Sequence, residues 1–103
     1  MADEVLQLGG NIELSGFSNL EPGVMTILKK IVGNYARRMN DKCKNFEKLS
    51  LTMKTVHAKE KSEKYELHAK MIEKGKPYTA SSVERNLFVA VDNSLKAIMN
   101  SLE

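Results

Sequence analysis

Side chains able to do covalent or metal chemistry are few and scattered in this chain. Its two histidines, His57 and His68, fall on separate stretches with no cysteine or carboxylate at metal-ligand spacing. They read as polar surface or strand-end residues, and no metal site is assigned. The single cysteine, Cys43, sits in a lysine-rich stretch that would lower a thiol pKa, yet no histidine stands beside it to act as a base. It reads as a structural thiol in a reducing compartment, since one cysteine makes no internal disulfide. Gly9-Gly10 lacks the third glycine and following lysine of a phosphate loop, and Asp92 alone carries no chemistry. The expectation is a protein that is not an enzyme, with no cofactor and no small-molecule substrate.

What the sequence does concentrate is positive charge. The net charge is +3, but residues 1–36 sum to −2 and residues 77–103 to −1. Arg37 to Lys76 holds twelve basic residues against six acids, a regional +6. Such a cluster attracts a phosphate backbone through counterion release. The alternative is a solvated face that keeps the protein soluble, and charge alone leaves both open.

These charges must be held by a fold, and 103 residues give room for one domain with one core. Hydrophobic residues at 42% and charged ones at 28% are ordinary for a globular protein. No apolar run approaches the roughly 20 residues a membrane-spanning helix needs, and Met1 to Asn11 lacks the pattern of a signal peptide. A cytoplasmic location without membrane contact follows as the expectation. Residues 1–10 read as a flexible N-terminal segment and residues 11–103 as the domain.

Asn11 to Phe17 alternates Ile12 and Leu14 with Glu13, which predicts a short strand. Ser18 and Glu21 have capping-box spacing, and Leu20, Val24, Ile27, Leu28, Ile31, Tyr35 and Met39 form an apolar stripe. A helix from about Asn19 to Asn40 is predicted. Its other face carries Thr26, Lys29, Lys30, Gly33, Asn34, Arg37 and Arg38, a ridge along which a phosphate backbone could lie. Leu49, Leu51, Met53 and Thr55, then Tyr65, Leu67, Ala69 and Met71, alternate with polar residues and predict strands over Glu47–His57 and Lys64–Ile72. Gly75 supplies a tight turn into a third strand of this run, Pro77–Ser81, that buries Tyr78 and Ala80. Ser81 and Glu84 offer a second capping box before a helix with Leu87, Phe88, Val91, Leu95, Ile98, Met99 and Leu102 on one side.

The order β-α-β-β-β-α, with one apolar face per strand and one stripe per helix, gives an α+β two-layer sandwich. It has a four-stranded mixed sheet and both helices on one face.

Five stretches carry a resemblance to a known family. They are Ile12-Glu13-Leu14 opening a strand, the Leu20 to Met39 helix, the Leu49 to His57 strand, Lys64 to Lys70, and above all Gly75-Lys76-Pro77-Tyr78-Thr79-Ala80-Ser81-Ser82 leading into Asn86-Leu87-Phe88-Val89-Ala90-Val91-Asp92, followed by Ser94-Leu95 and Ile98. Over Asn11 to Leu102 the chain resembles the ribosome hibernation-promoting factors, also called sigma-factor modulation proteins, as a divergent member of the short, single-domain type.

The resemblance implies a fold similar to a double-stranded RNA-binding domain, docked on the small ribosomal subunit where messenger and transfer RNA sit. Translation would be blocked sterically, with ribosomal RNA as the partner. Carried onto matching positions, it implies RNA contacts from Lys29, Lys30, Arg37 and Arg38 on the first helix and from Arg85 and Lys96 on the second. The charge pattern adds Lys54, Lys59, Lys61, Lys74 and Lys76 on the strands and turns. The second helix has only two cations, fewer than is typical of that family. A second reading therefore stands beside the first: an interaction or regulatory module that keeps the fold without binding RNA. A weak homodimer is the remaining partner expectation.

Overall fold

The computed structural model describes residues 5–7, 11–17, 20–43, 45–57 and 63–102. The elements are β1 (Val5–Gln7), β2 (Ile12–Ser15), α1 (Pro22–Lys42), β3 (Phe46–His57), β4 (Glu63–Glu73), β5 (Lys76–Glu84) and α2 (Leu87–Ser101). The strands form one mixed sheet in the order β1-β2-β3-β4-β5. β2 and β3 run parallel across the α1 connection, and the other neighbours are antiparallel. The predicted α+β class and β-α-β-β-β-α order are found. The three-residue strand β1 adds an edge where a loosely attached segment was expected.

Alternation decides which face is covered. Ile12, Leu14, Leu49, Leu51, Met53, Leu67, Ala69 and Met71 are buried on the helix side, because side chains two apart along a strand share a face. Their neighbours Ser50, Thr52, His68, Lys70, Thr79 and Ser81 line a shallow polar depression on the open side. Thr55, expected in the buried row, is exposed.

α1 begins later than the capping-box spacing suggests. Proline disfavours helical backbone in the residue before it, and Glu21 is accordingly extended, with ψ 148 and no side-chain cap. Pro22 therefore opens the helix, where its missing N–H costs nothing; Ser18 and Asn19 lie outside the described residues. The buried face is also rotated from the expected stripe. Val32 and Ala36 are buried with Leu28, Tyr35 and Met39, whereas Ile27 is 49% exposed.

β5 runs to Glu84, so Ser81-Ser82-Val83-Glu84 is strand and caps no helix. The cap of α2 is Asn86, whose Oδ1 accepts from the amides of Phe88 at 2.9 Å and Val89 at 3.3 Å. Ser82 Oγ donates to the Ala90 carbonyl at 2.8 Å and lies 3.0 Å from the buried Ser94 hydroxyl, which fixes α2 over β5. The β4–β5 turn uses positive φ at both Lys74 (52°) and Gly75 (74°), the requirement of a two-residue hairpin turn.

Gly16, just after β2, also has positive φ (82°). A β-carbon there would run into the Met53 carbonyl oxygen. Only glycine lets the chain leave the sheet this close to β3 and place Phe17 in the core.

Candidate nucleic-acid interface

Along α1 the four cations Lys29, Lys30, Arg37 and Arg38 have no carboxylate between them, and the one carboxylate of the helix, Asp41, stands beside Lys42 in its last turn. Lys29, Lys30, Arg37 and Arg38 are all exposed, because the opposite face of the helix is spent on the core. Spacings of three and four place them along one outward surface, with Gly33 and Asn34 between the two pairs. Among the described residues, Lys29, Lys30 and Arg37 make no ion pair.

Arg38 is held differently. Its guanidinium carbon lies 5.2 Å from the centre of the Tyr35 ring, a cation–π contact that limits its swing. Tyr35 Oη donates to Asp92 Oδ1 at 2.6 Å, and Asp92 Oδ2 lies 3.7 Å from Lys96 Nζ. Burial, reinforced by the Asp92 carboxylate, pushes the Tyr35 phenol up to about 12. It stays protonated and donating at neutral pH. The chain Arg38–Tyr35–Asp92–Lys96 thus links the cations of α1 to the one cation on α2. Nothing local in the sequence marks Tyr35 and Asp92 as partners.

Other expected cations are dispersed. Arg85 is exposed in the β5–α2 connection, not on the helix, because α2 starts only after the Asn86 cap. It lines a groove with Leu20, Glu21, Val24 and Phe88 where the two helices begin. Lys54 is exposed on the open face of the sheet, opposite Glu66 across the ladder and away from both helices. Lys74 and Lys76 sit at the β4–β5 turn, where the Lys76 ammonium lies 5.3 Å from the Tyr78 ring centre. That turn is pinned by Glu47, whose Oε2 accepts from the Gly75 amide at 3.0 Å, and by the Asn45 carbonyl, which accepts from Lys74 N at 3.2 Å. Lys59 and Lys61 lie outside the described residues.

The reactive groups are placed quietly. Cys43 is buried, and burial, with Glu73 beside it, pushes its thiol up. The lowering expected from nearby lysines is overridden, because desolvation penalises the thiolate and the adjacent carboxylate adds to it. His68 lies on the open sheet face with Nε2 2.9 Å from Glu66 Oε2. Among the described residues, no three His, Cys, Asp or Glu side chains are grouped to hold a metal. No described helix is long and apolar enough to cross a membrane.

No protein-family model matches the chain, and no curated protein matches it in sequence.

Proposed function

We propose that the chain is a non-enzymatic RNA-binding protein that uses the outward face of α1 to grip a phosphate backbone. Its target on this reading is the small ribosomal subunit, blocked at its messenger and transfer RNA channel. The observation that carries the proposal is the α1 ridge: four exposed cations from Lys29 to Arg38 with no acid between them, the helix's one carboxylate, Asp41, coming only at its C-terminal end. Neutralising phosphates releases condensed counterions, and Lys29, Lys30 and Arg37, which make no ion pair among the described residues, can do so without first breaking one. The resemblance to hibernation factors supplies the ribosomal target, and the β-α-β-β-β-α order is compatible with it.

Co-sedimentation with purified small ribosomal subunits at low and moderate salt tests the proposal. Binding is expected, weakening as salt rises. Reversing Lys29, Lys30, Arg37 and Arg38 to glutamate should abolish it, and replacing them with alanine should flatten the log K against log salt slope by about three. Absence of co-sedimentation at both salt concentrations overturns it.

One observation favours the second reading, an interaction module without RNA binding. The two cations assigned to the second helix are poorly placed for phosphate: Lys96 faces Asp92, and Arg85 stands off the helix. That reading requires any partner binding to survive the glutamate reversals.

A further inference from the structure

Among the described residues β5, nine residues long, is an edge strand, paired with β4 on one of its sides. The two-residue turn makes Glu73 and Lys76 the hydrogen-bonded pair that closes the hairpin. Alternation along the ladder then turns Lys76, Tyr78, Ala80, Ser82 and Glu84 toward β4. Pro77, Thr79, Ser81 and Val83 aim their backbone groups away from the sheet. Pro77 has no N–H to offer, which suits an outward position.

Exposed edges are usually blunted by charge, bulges or further prolines. From Tyr78 to Val83 this one has none of them, and Val83 is 51% exposed. The neighbouring surface of α2 is uncharged as well. Val89, Asn93, Ala97 and Asn100 are exposed at helical spacing, on the flank where Asn93 Nδ2 reaches Glu84 Oε2 at 3.4 Å. The charged residues of α2, Asp92 and Lys96, lie on the opposite flank, toward α1. A chain that is 28% charged thus presents a strand edge uncharged from Pro77 to Val83 beside a helix flank whose own exposed residues are uncharged, with Lys64, Glu84 and Arg85 gathered at the end where Val83 and Val89 meet.

We propose that two copies of the chain associate through this edge, β5 against β5, antiparallel about a two-fold axis at Ala80. The strand is self-complementary in that register. Lys76 of each copy stands opposite Glu84 of the other, on the same side of the sheet. Thr79 and Ser81 face each other as hydrogen-bonded pairs, and Val83 donates its amide to the Pro77 carbonyl. The two α2 helices lie on the same face of the continued sheet, with the uncharged flanks of Val89, Asn93, Ala97 and Asn100 toward the axis, and Arg85 of each copy comes level with Lys74 and Lys76 of the other only at the ends of the contact. The α1 ridges lie outside the contact, so the dimer does not rest on the RNA reading.

Sedimentation velocity from about 10 to about 500 μM tests the association in a range where weak dimers populate. A concentration-dependent approach to the dimer mass is expected. Ser81→Lys with Val89→Lys, both at exposed positions, should weaken it at least about tenfold, a change of about 1.4 kcal/mol. Val89→Lys alone, on a helix surface, repeats the test without touching the strand. Circular dichroism shows that each variant is folded. Ala80→Cys should form a covalent dimer on mild oxidation, because facing residues of a non-hydrogen-bonded antiparallel pair stand within disulfide reach. A monomer at every concentration overturns the proposal and leaves the edge to a strand from another protein. A dimer indifferent to the lysines and not captured through Ala80→Cys also overturns it, by placing the contact elsewhere.

Discussion

Tyr35 and Asp92 meet at 2.6 Å between α1 and α2, and this bond sets how the two helices present their cations. Tyr35 as a whole is 7% exposed, and the carboxylate is the partner its part-buried hydroxyl takes. Tyr35→Phe should cost about 1–2 kcal/mol in denaturant unfolding. It should also loosen Arg38 and Lys96 relative to each other.

The same bond predicts an alkaline transition. The Tyr35 phenol is held up at about 12 against an ordinary 10.0, so folding favours its protonated form. That contribution is complete below pH 10 and is lost as pH rises through about 12. Unfolding followed between pH 9 and 12.5 should show a steeper loss of stability in the native protein than in Tyr35→Phe.

Gly16→Ala should be severely destabilising, by roughly 2–4 kcal/mol, since it combines positive φ with a collision against the backbone at Met53. Gly33→Ala should do the reverse. It sits inside α1 with open space around a β-carbon, and alanine there should add about 0.5–1 kcal/mol. Thermal melts of the two variants check both signs.

Cys43 should resist thiol reagents in the folded protein and react fully in denaturant, because burial disfavours its thiolate. Timed labelling with a chromogenic disulfide reagent measures the ratio. Fast labelling of the native protein would contradict the buried placement.

The proposed use of α1 predicts that charge on the sheet's open face matters little for RNA. Lys54→Glu with Lys70→Glu alters that face and leaves the α1 ridge intact, so subunit binding should stay within about threefold of the unmodified protein. A loss equal to that of the ridge reversals would move the interface to the sheet.

The strands and the helix order were legible because alternation is a local signal: Leu49, Leu51 and Met53 declare their face to any reader of the chain. The end of β5 was not. Ser81-Ser82-Val83-Glu84 satisfies capping-box spacing and strand alternation equally, and only the position of α2 over Ser82 decides between them. The rotation of α1 escaped for a similar reason, since its apolar residues outnumber its core positions and packing selects Val32 over Ile27. Of the site, the cations of α1 could be read from spacing alone. The Tyr35–Asp92 pairing could not, because 57 residues separate its partners.

The strands lie side by side in the order in which they are made. β3, β4 and β5, with α2 packed on the last two, can therefore assemble from contacts between near neighbours in sequence, which form fast. Only the parallel β2–β3 pairing must close a loop through all of α1. Substitutions in the Leu67–Ala80 region should slow folding, while Leu28→Ala should chiefly speed unfolding. The helix that bears the cationic ridge is then the last to dock, and a nascent chain would complete that charged face only when the rest of the sheet is already in place.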